Sequence, residues 1–385
     1  MPAIRVLLVD DAVVIRNVVP AELNKDPDLE VVGVAANGVI ALAKIPNVQP
    51  DIVLLDIEMP VLDGLETLRR LRQQFPKLPV IMFSTLTERG AAATLDALSL
   101  GASDYLTKPS NLGDRNQTWA GTRDELIRKI KHLCSGVLRS TGKSGFYDHL
   151  GDSVSRLSSA DVTAGGGAGR SVPTYTPRPA APRGQPSRVD VVVIGVSTGG
   201  PNALLKVLPD LPADLGVPVL IVQHMPPVFT RLLAERLDVK SQLHVREGWQ
   251  GAPIGPNQIW LAPGDYHMGL ARQGTSVAIQ LNQNSPENFC RPAVDVLFRD
   301  AASVYGKGVL AVVLTGMGQD GLRGCERIRD LGGQIIIQDQ PTSVVWGMPG
   351  AVARKGLADT ILPLDEIAGE ITRRVKLKTN PNGSS

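Results

Sequence analysis

The sequence predicts an α/β protein in which a flexible linker joins two domains, each built on a doubly wound parallel sheet. In two separate parts of the chain, short apolar runs rich in Val, Ile and Leu alternate with helical patterns, which is typical of parallel strands covered by helices. A stretch rich in proline and glycine separates these two parts. The length of 385 residues is sufficient for two domains of ordinary size.

The composition indicates a protein of a reducing compartment with no strong affinity for polyanions. The net charge is +2, which gives no strong attraction to nucleic acid or to a membrane surface. The cysteines Cys134, Cys290 and Cys325 are scattered and odd in number, as expected for free thiols and not for a disulfide framework or a zinc site. No apolar run is long enough to cross a bilayer. We therefore expect a cytoplasmic protein that binds no nucleic acid and inserts no segment into a membrane.

The first domain is expected at residues 1–125. A helical pattern follows its first apolar run and continues through Leu23, and a second helix is predicted at Gly38–Ile45. The apolar runs are short and mostly end on polar residues, which favours a doubly wound parallel sheet. Five strands are predicted here, at Ile4–Val9, Glu30–Ala35, Ile52–Leu55, Pro79–Phe83 and Ala102–Leu106.

Polar side chains follow the strands of this first sheet. Asp10, Asp11, Asp56, Ser84 and Lys108 all come where a predicted strand ends, and such ends share one edge of a parallel sheet. Three crowded carboxylates repel one another unless a cation joins them, and hard oxygen ligands suit Mg²⁺. A metal ion and an ammonium group would neutralise a phosphoryl group that a carboxylate accepts covalently. A single strand-end aspartate is an ordinary loop residue, but the joint pattern favours a phosphorylation site.

The linker is expected at residues 126–187. It begins with the end of a helix predicted at Arg123–Val137, and then the chain loses its periodicity. Glycines cluster at 165–169 and prolines recur from Pro173 to Pro186, a composition that cannot bury a core. We interpret this segment as a flexible spacer, although its arginines would also allow a docking role.

The second domain is expected at residues 188–377, followed by a short tail at 378–385. Alternating strand and helix patterns again favour a doubly wound parallel sheet. Strands are predicted at Val191–Val196, Val217–Val222, His244–Glu247, Gln258–Leu261, Val277–Gln280, Val309–Leu314 and Gln334–Gln338. Helices are predicted at Asn202–Leu208, Phe229–Leu237, Asp295–Tyr305 and Leu322–Leu331.

Ser197 lies at the turn between the first strand and the first helix of this domain. Glycines at 195, 199 and 200 allow a tight turn there, and Pro201 suits the first helical position. The serine hydroxyl would be exposed beside backbone N–H groups that have no partner within the helix, an arrangement that suits a nucleophile next to an oxyanion site. Two other interpretations remain open for the turn alone, a dinucleotide-binding loop and a plain structural turn capped by Ser197 or Thr198.

Two further side chains follow apolar strands in the same way. Ser197, His224 and Asp320 would meet at one edge if their strands belong to one parallel sheet, and together they have the chemistry of a hydrolytic triad. His224 would take the Ser197 proton, and Asp320 would orient and stabilise the imidazole. The backbone N–H groups of Thr198 and Met317 are our candidate oxyanion donors.

Each of these residues also has a structural interpretation. His224 alone could cap the next helix, and Asp320 could cap the helix that starts at Leu322. His267 is the rival base, but it follows a Pro-Gly loop and not an apolar strand. We rank it second and expect it near the mouth of the site.

The first domain resembles the receiver domain of response regulators, a flavodoxin-like fold. The resemblance rests on Leu8-Val-Asp-Asp11, Leu55-Asp-Ile-Glu-Met-Pro60, Asp63-Gly64, Met82-Phe-Ser-Thr85, Gly101-Ala-Ser-Asp-Tyr105 and Lys108-Pro109. It implies that Asp56 accepts the phosphoryl group. It also implies that Asp11 and Asp56 bind Mg²⁺ directly, Asp10 through water, and Glu58 through its backbone carbonyl.

The same resemblance assigns the residues that would respond to phosphorylation. Ser84 and Tyr105 would form the switch pair, with Lys108 beside the phosphoryl group. The Lys108–Pro109 peptide bond would be cis. The phosphodonor of such a receiver would be a histidine kinase.

The second domain resembles the catalytic domain of bacterial chemotaxis protein-glutamate methylesterases, a Rossmann-like fold. The matching stretches are Ile194-Gly-Val-Ser-Thr-Gly-Gly-Pro201, Val222-Gln-His-Met-Pro-Pro227 with Phe229-Thr-Arg231, Ala262-Pro-Gly-Asp-Tyr-His-Met268, Arg291-Pro-Ala-Val-Asp-Val-Leu-Phe298, Leu314-Thr-Gly-Met-Gly-Gln-Asp-Gly321 and Trp346-Gly-Met-Pro-Gly350. The order of receiver, linker and esterase also matches. The long linker is a departure that leaves the docking of the two domains open.

The resemblance implies hydrolysis of glutamate methyl esters on chemoreceptors, with deamidation of specific glutamines by the same route and no cofactor for the esterase. We expect the unphosphorylated receiver to cover the Ser197 edge, and phosphorylation of Asp56 to favour an open form. The alternatives are a receiver with a DNA-binding output and a nucleotide-binding output on the Ser197 turn. The first lacks a helix-turn-helix, and the second leaves His224 and Asp320 without a role.

Overall fold

The computed structural model describes residues 3–108, 118–134 and 187–377 of the chain. Most of the predicted linker, the tail and the Lys108–Pro109 bond lie outside these ranges. Both domains are layered α/β structures with parallel sheets, which confirms the predicted fold class. No helix in the described ranges is both long enough and apolar enough to cross a membrane.

The first domain has a five-stranded, wholly parallel sheet in the order β2-β1-β3-β4-β5. The order reverses direction beside β1, so helices cover both faces and the site lies where the carboxyl ends of β1 and β3 meet. The elements are β1 (Ile4–Val9), α1 (Val13–Leu23), β2 (Leu29–Ala35), α2 (Gly38–Val48), β3 (Ile52–Asp56), α3 (Gly64–Gln74), β4 (Val80–Ser84), α4 (Glu88–Ser99), β5 (Asp104–Thr107) and α5 (Thr118–Leu133).

Helix α5 begins five residues before the position that the sequence predicted, Arg123. The expected domain boundary at residue 125 falls inside this helix. Leu126 and Ile130 are buried, and with Cys134 they belong to the core formed by β1, β3 and α1. The last helix of the first domain therefore packs against its sheet and is no part of a free linker.

The second domain has a seven-stranded parallel sheet in the order β14-β13-β12-β6-β7-β9-β8, with a separate antiparallel hairpin of β10 and β11. Its strands are β6 (Val191–Val196), β7 (Val219–Gln223), β8 (His244–Glu247), β9 (Gln258–Leu261), β10 (His267–Gln273), β11 (Ser276–Asn282), β12 (Val309–Val313), β13 (Gln334–Gln338) and β14 (Thr360–Leu362). Its helices are α6 (Gly200–Val207), α7 (Phe229–Lys240), α8 (Val294–Tyr305), α9 (Leu322–Asp330), α10 (Met348–Arg354) and α11 (Ile367–Lys376).

The seven strands predicted for this domain are present, and the structure adds β10 and β14. The sequence of β10, His-Met-Gly-Leu-Ala-Arg-Gln, contains glycine and alanine, which have low strand propensity. It forms a strand because all seven of its residues pair with β11. The short strand β14 likewise forms through its pairing with β13.

The central strand β6 determines where the site lies. All six of its residues are buried, and it pairs with β12 on one side and with β7 on the other. The chain leaves β6 for α6 and later returns to β12 on the opposite side, so the strand order reverses at β6. Such a reversal opens a crevice at the carboxyl ends of the strands. The loops that carry Ser197, His224 and Asp320 all start from this edge.

We predict that Ile194→Ala, which removes a fully buried side chain from β6, lowers the free energy of unfolding of the second domain by about 2–5 kcal/mol. The matched control is Val239→Ala on α7, where 87% of the side chain is exposed and the change should stay within about 0.5 kcal/mol. Urea unfolding followed by tryptophan fluorescence measures both variants. Equal losses in the two variants would contradict the central place of β6 in the core.

Candidate active site

The turn after β6 holds Ser197 between two backbone hydrogen bonds. The Ser197 N–H donates to the Thr315 carbonyl at 3.0 Å, and the Ser197 carbonyl accepts from Gly200 N–H at 2.7 Å. Gly199 has a φ of +78°, and a Cβ on it would lie 2.6 Å from Val344. Only glycine fits a left-handed backbone under such a close neighbour. The turn therefore ties Ser197 to the loop that follows β12.

The side chains of Ser197, His224 and Asp320 form a continuous hydrogen-bonded chain. His224 Nδ1 lies 3.1 Å from Ser197 Oγ, and His224 Nε2 lies 2.8 Å from Asp320 Oδ2. Because an ionised carboxylate only accepts, Nε2 carries the proton and Nδ1 is free to accept from the serine hydroxyl. The three residues come from β6, β7 and the loop after β12, which are neighbouring parts of one sheet edge.

Asp320 is buried, with 2% of its surface exposed, at the N-terminus of α8. Its carboxylate accepts from the N–H groups of Val294 at 2.6 Å and Asp295 at 3.0 Å, and from its neighbour Gly321 at 3.0 Å. Burial acts to raise the pKa of Asp320, but the hydrogen bond from His224 and these N–H groups outweigh it and lower the pKa. The carboxylate is therefore ionised and oriented before any substrate binds.

The pKa of His224 shifts upward, whereas that of Asp320 shifts downward. Burial acts to lower its pKa, but the neighbouring Cys290 sulfur and the Asp320 carboxylate raise it more, so the net pKa is raised. A raised pKa makes the ring a stronger base towards the serine proton. It also means that the neutral form, which a base requires, is lost as the pH falls.

Three residues beside the hydrogen-bonded side chains of Ser197, His224 and Asp320 were not predicted from the sequence to belong to the site. They are Asn288, Cys290 and Asp295. The Asn288 amide nitrogen donates to Asp295 at 3.0 Å and to Asp320 at 2.9 Å, so one side chain joins two buried carboxylates. Burial and the charge of Asp320 raise the pKa of Asp295 to about 6. None of the three follows an apolar strand. The only sequence signal was for Asp295, which lies in the stretch 291–298 that resembles the methylesterase family.

The two predicted oxyanion donors lie in the loops that meet at Ser197. Among the residues that the structure describes, no backbone acceptor takes the N–H of Thr198 or of Met317. A Cβ on Gly316 would lie 2.9 Å from the Ser197 Cβ, so the backbone just before Met317 runs against the nucleophile. These N–H groups are therefore available beside the serine.

The rival base His267 is placed differently. It is 1% exposed at the start of β10, its Nδ1 accepts from the Ala293 N–H at 3.2 Å, and its Nε2 lies 3.2 Å from the Ser285 carbonyl. Both ring nitrogens are therefore occupied by backbone groups. This histidine supports the segment that leads into α8, beneath the surface and not at an open mouth of the site.

The first domain brings together the carboxylates that the sequence predicted. One oxygen atom from each of Asp10, Asp11 and Asp56 lies within 4.8 Å of the others. Lys108 Nζ lies 2.8 Å from both Asp10 and Asp56. Burial raises the pKa of Asp56 to about 6, although the charge of Lys108 opposes that shift. The Glu58 side chain points towards Arg89, at 3.7 Å.

The two predicted switch residues lie on neighbouring strands. Ser84 ends β4, and its hydroxyl donates towards the Gly90 and Thr85 carbonyls at 3.1 and 3.2 Å. Tyr105, on β5, stacks on Phe229 of the second domain with ring centroids 5.0 Å apart. The predicted switch residue on β5 is therefore also a contact between the two domains.

A second contact between the domains reaches the nucleophile turn itself. Asp104, which is 4% exposed, accepts from the Thr198 hydroxyl at 2.9 Å and from Lys129 Nζ at 2.7 Å. Nearby, the Asn202 amide donates to the Leu98 carbonyl at 2.7 Å. The face of the first domain formed by α4 and β5 thus lies against the edge that carries Ser197.

Comparison with known proteins gives two family matches. Residues 192–371 match the model of the CheB methylesterase family, and residues 6–117 match that of the response regulator receiver domain. Together the two matches cover most of the described chain.

Relatives with known names match over nearly the full length. A protein-glutamate methylesterase/protein-glutamine glutaminase of Trichodesmium erythraeum is 50% identical over 375 residues, covering 97% of this chain and 100% of the relative. One of the same name from Nocardioides is 49% identical over 376 residues, covering 97% and 96%. The crystal structure of the Thermotoga maritima CheB methylesterase catalytic domain is 42% identical and covers 49% of this chain and 99% of its own, with a TM-score of 0.48.

We predict that Asp320→Asn lowers the pKa of His224 by about 1–3 units, because the variant removes the charge that favours the imidazolium. NMR titration of the His224 ring measures the shift. Asp300→Asn is the control. Asp300 is a half-buried carboxylate further along α8, where it accepts a hydrogen bond from the Leu270 N–H. An unchanged His224 titration in Asp320→Asn would show that the carboxylate does not set the basicity of the ring.

Proposed function

Because the chain belongs to the family of CheB methylesterases that carry a receiver domain, we propose that Ser197, His224 and Asp320 perform its hydrolytic chemistry. The protein is a phosphorylation-regulated hydrolase of chemotaxis, with protein-glutamate methylesterase and protein-glutamine glutaminase activity. A DNA-binding or nucleotide-binding output domain, the alternative from the sequence, is not favoured. The observation that carries the proposal is the hydrogen-bonded chain from the serine hydroxyl to the buried carboxylate.

In the first half of the reaction, His224 Nδ1 takes the proton of the Ser197 hydroxyl while Oγ attacks the γ-carbonyl carbon of a glutamate methyl ester. The carbonyl electron pair moves onto its oxygen, and the N–H groups of Thr198 and Met317 would stabilise that charge. The carbonyl then re-forms and the bond to the methoxy oxygen breaks. Methanol leaves with the proton from Nδ1, and the glutamyl group remains attached to Ser197 as an ester.

In the second half, water replaces methanol in the same steps. Nδ1 takes a proton from water, the hydroxide oxygen attacks the acyl carbon, and Ser197 recovers its proton as glutamate leaves. With a glutamine substrate the first leaving group is ammonia. Throughout, Asp320 stabilises the imidazolium that forms, and the pH dependence follows from His224, whose neutral form is the base.

The phosphorylation site of the receiver is proposed at Asp56. The donor set of Asp10, Asp11 and Asp56 consists of hard carboxylate oxygens close together, which fits Mg²⁺. When bound, Mg²⁺ would supply positive charge to balance the incoming phosphoryl group, with the Glu58 carbonyl as a further ligand. Lys108, already paired with Asp56, would bind a phosphoryl oxygen, and the Ser84 hydroxyl would bind another.

Regulation follows from the contacts between the domains. We infer that the arrangement with Asp104 on Thr198 and Tyr105 on Phe229 is the closed form, in which a receptor has no access to Ser197. Phosphorylation of Asp56 would draw Ser84 towards the phosphoryl group and change the space available to Tyr105. The stacked contact with Phe229 would weaken, and the population would move towards an open form.

The partners follow from the same assignment. We propose methyl-accepting chemoreceptors as the substrate and a chemotaxis histidine kinase as the phosphodonor. Phosphorylation by the kinase and hydrolysis on the receptor would both take place on the cytoplasmic side of the membrane, so we place the protein in the cytoplasm. Neither nucleic acid nor insertion into the membrane has a part in this function.

We predict that Ser197→Ala lowers methanol release from methylated receptor membranes by about 10³-fold or more, since no other oxygen takes the nucleophile's place. Gas chromatography of the released methanol measures the rate. Ser241→Ala, at the C-terminal end of α7, is the control for loss of a hydroxyl and should keep the activity. Activity retained in Ser197→Ala would remove this residue as the nucleophile.

We predict that Asp56→Asn abolishes both labelling by a small phosphodonor and the stimulation of methanol release, while basal release persists. Acetyl phosphate with Mg²⁺ is a suitable donor. Asp63→Asn is the control, because Asn caps a helix as well as Asp does and Asp63 is the N-cap of α3. A labelled Asp56→Asn protein would place the phosphoacceptor elsewhere.

A further inference from the structure

Helix α4 of the receiver and helix α7 of the esterase are joined by ion pairs. Arg231 on α7 binds Glu88 with 2.5 Å between Nη2 and Oε1. Arg236, further along α7, forms an ion pair with Asp96 and donates to the Ser99 hydroxyl at 3.1 Å. We call Arg231 and Arg236 the arginine pair. Its partners on α4 are two carboxylates eight residues apart on one helix.

The arginine pair lies on a helix that starts close to the catalytic edge. Helix α7 begins at Phe229, five residues after His224, and α6 begins at Gly200, three residues after Ser197. Helix α4 contacts both α6 and α7. The helix that carries Glu88 and Asp96 therefore contacts both helices that lead away from Ser197 and from His224.

The proposed function says what else must approach this edge. Its substrate is a glutamate methyl ester on a receptor, and each turnover leaves a carboxylate on that receptor. A receptor segment under adaptation therefore combines esters with free carboxylates. Because carboxylates attract guanidinium groups, such a segment offers the arginine pair the same kind of partner that α4 offers it.

We propose that the arginine pair is the docking site for an acidic segment of the receptor, and that α4 occupies this site in the closed form by presenting carboxylates to it. This inference rests on the proposed function. It goes further by giving Arg231 and Arg236 a role in substrate binding once the receiver has moved away. Receiver and receptor then compete for the same cations.

The exposure of the ion pairs supports exchange of one partner for the other. The side chains of Arg231, Glu88 and Asp96 are 43%, 67% and 55% exposed, and that of Arg236 is 24% exposed. Exposed pairs of this kind are weak and are screened by salt. Neither arginine is left as an uncompensated buried charge when α4 departs, so a receptor carboxylate can replace Glu88 or Asp96 without a large desolvation penalty.

One further contact keeps Arg231 in place during the exchange. Its Nη1 donates to Glu235, one turn later on α7, at 2.9 Å. This bond uses one side of the guanidinium group and leaves the Nη2 side for an external carboxylate. The arginine is thus oriented by its own helix and not only by the receiver.

The test separates binding of the receptor from binding of α4 by exchanging the charges. The first variant, E88R/D96R/R231E/R236E, keeps opposite charges between α4 and α7 but reverses the charge that a receptor meets. The second, E88Q/D96N, removes the α4 charges and keeps both arginines. Each full-length protein is saturated with acetyl phosphate and Mg²⁺, and methanol release from methylated receptor membranes gives kcat and KM. Hydrolysis of p-nitrophenyl acetate reports Ser197 without any receptor contact.

With E88Q/D96N, we expect higher activity before phosphorylation and an unchanged KM for the receptor afterwards. With the charge-reversed variant, we expect the receptor KM to rise about tenfold after phosphorylation, with kcat and p-nitrophenyl acetate hydrolysis unchanged. The KM of the unaltered protein should also rise with salt concentration more steeply than that of the charge-reversed variant. If the reversed charges impair folding, R231Q/R236Q replaces that variant, with a smaller rise in KM expected.

The inference would be overturned if the charge-reversed variant, once phosphorylated, had the same receptor KM as E88Q/D96N. The arginine pair would then bind α4 alone. Failure of the proposed function is distinguishable from that result. It would appear in the unaltered protein, as absence of methanol release from receptor membranes.

Discussion

The buried carboxylate of Asp320 is the feature on which the active site depends. An ionised carboxylate in a protein interior is strongly unfavourable unless donors surround it, and here three backbone N–H groups, the Asn288 amide and the His224 ring all donate to it. The two N–H groups at the start of α8 have no partner within their helix, so the carboxylate satisfies them as they satisfy it. The same atoms thus fix the end of α8, the loop after β12 and the orientation of the His224 ring.

This arrangement requires the strand order of the second sheet. Serine, histidine and aspartate are 27 and 96 residues apart along the chain, and they meet because β12, β6 and β7 are adjacent. The crossover from one side of β6 to the other leaves room at the strand ends, and there the nucleophile turn meets the loop after β12. Gly316 shows how close this approach is, since any side chain on it would collide with Ser197 and Met348. The geometry of the proposed active site is therefore a consequence of sheet topology, with small residues where two loops touch.

The same reasoning explains what could be predicted from the sequence. A buried parallel strand is a continuous apolar run, and the first polar residues after it mark the sheet edge. Ser197, Asp56 and, directly after Gln223, His224 were therefore identifiable from pattern alone. Asn288 and Asp295 were not, because their positions depend on how the segment before α8 folds over Asp320, which no local periodicity reports. His267 was expected near the mouth of the site because a Pro-Gly loop, and not an apolar strand, precedes it. The strand β10 that carries it exists only through pairing with β11. The contact of Asp104 with Thr198 joins two domains, and nothing in either domain's own pattern indicates it.

The contacts between the domains combine strong and weak interactions in a way that suits a switch. The bond from Thr198 to Asp104 and the stacking of Tyr105 on Phe229 are buried and specific, whereas the ion pairs of α4 and α7 are exposed, each contributing about 0–1 kcal/mol. The proposed opening on phosphorylation requires that the closed form be favoured by only a few kcal/mol, because a ligand shifts an equilibrium by no more than its own preference for one state. The ion pair between Lys129 and Asp104 helps to keep the cost of opening small. By pairing with Asp104 within the receiver, Lys129 compensates that carboxylate when Thr198 is withdrawn, so opening leaves no uncompensated buried charge behind. The interface can therefore separate without a large electrostatic penalty on either side.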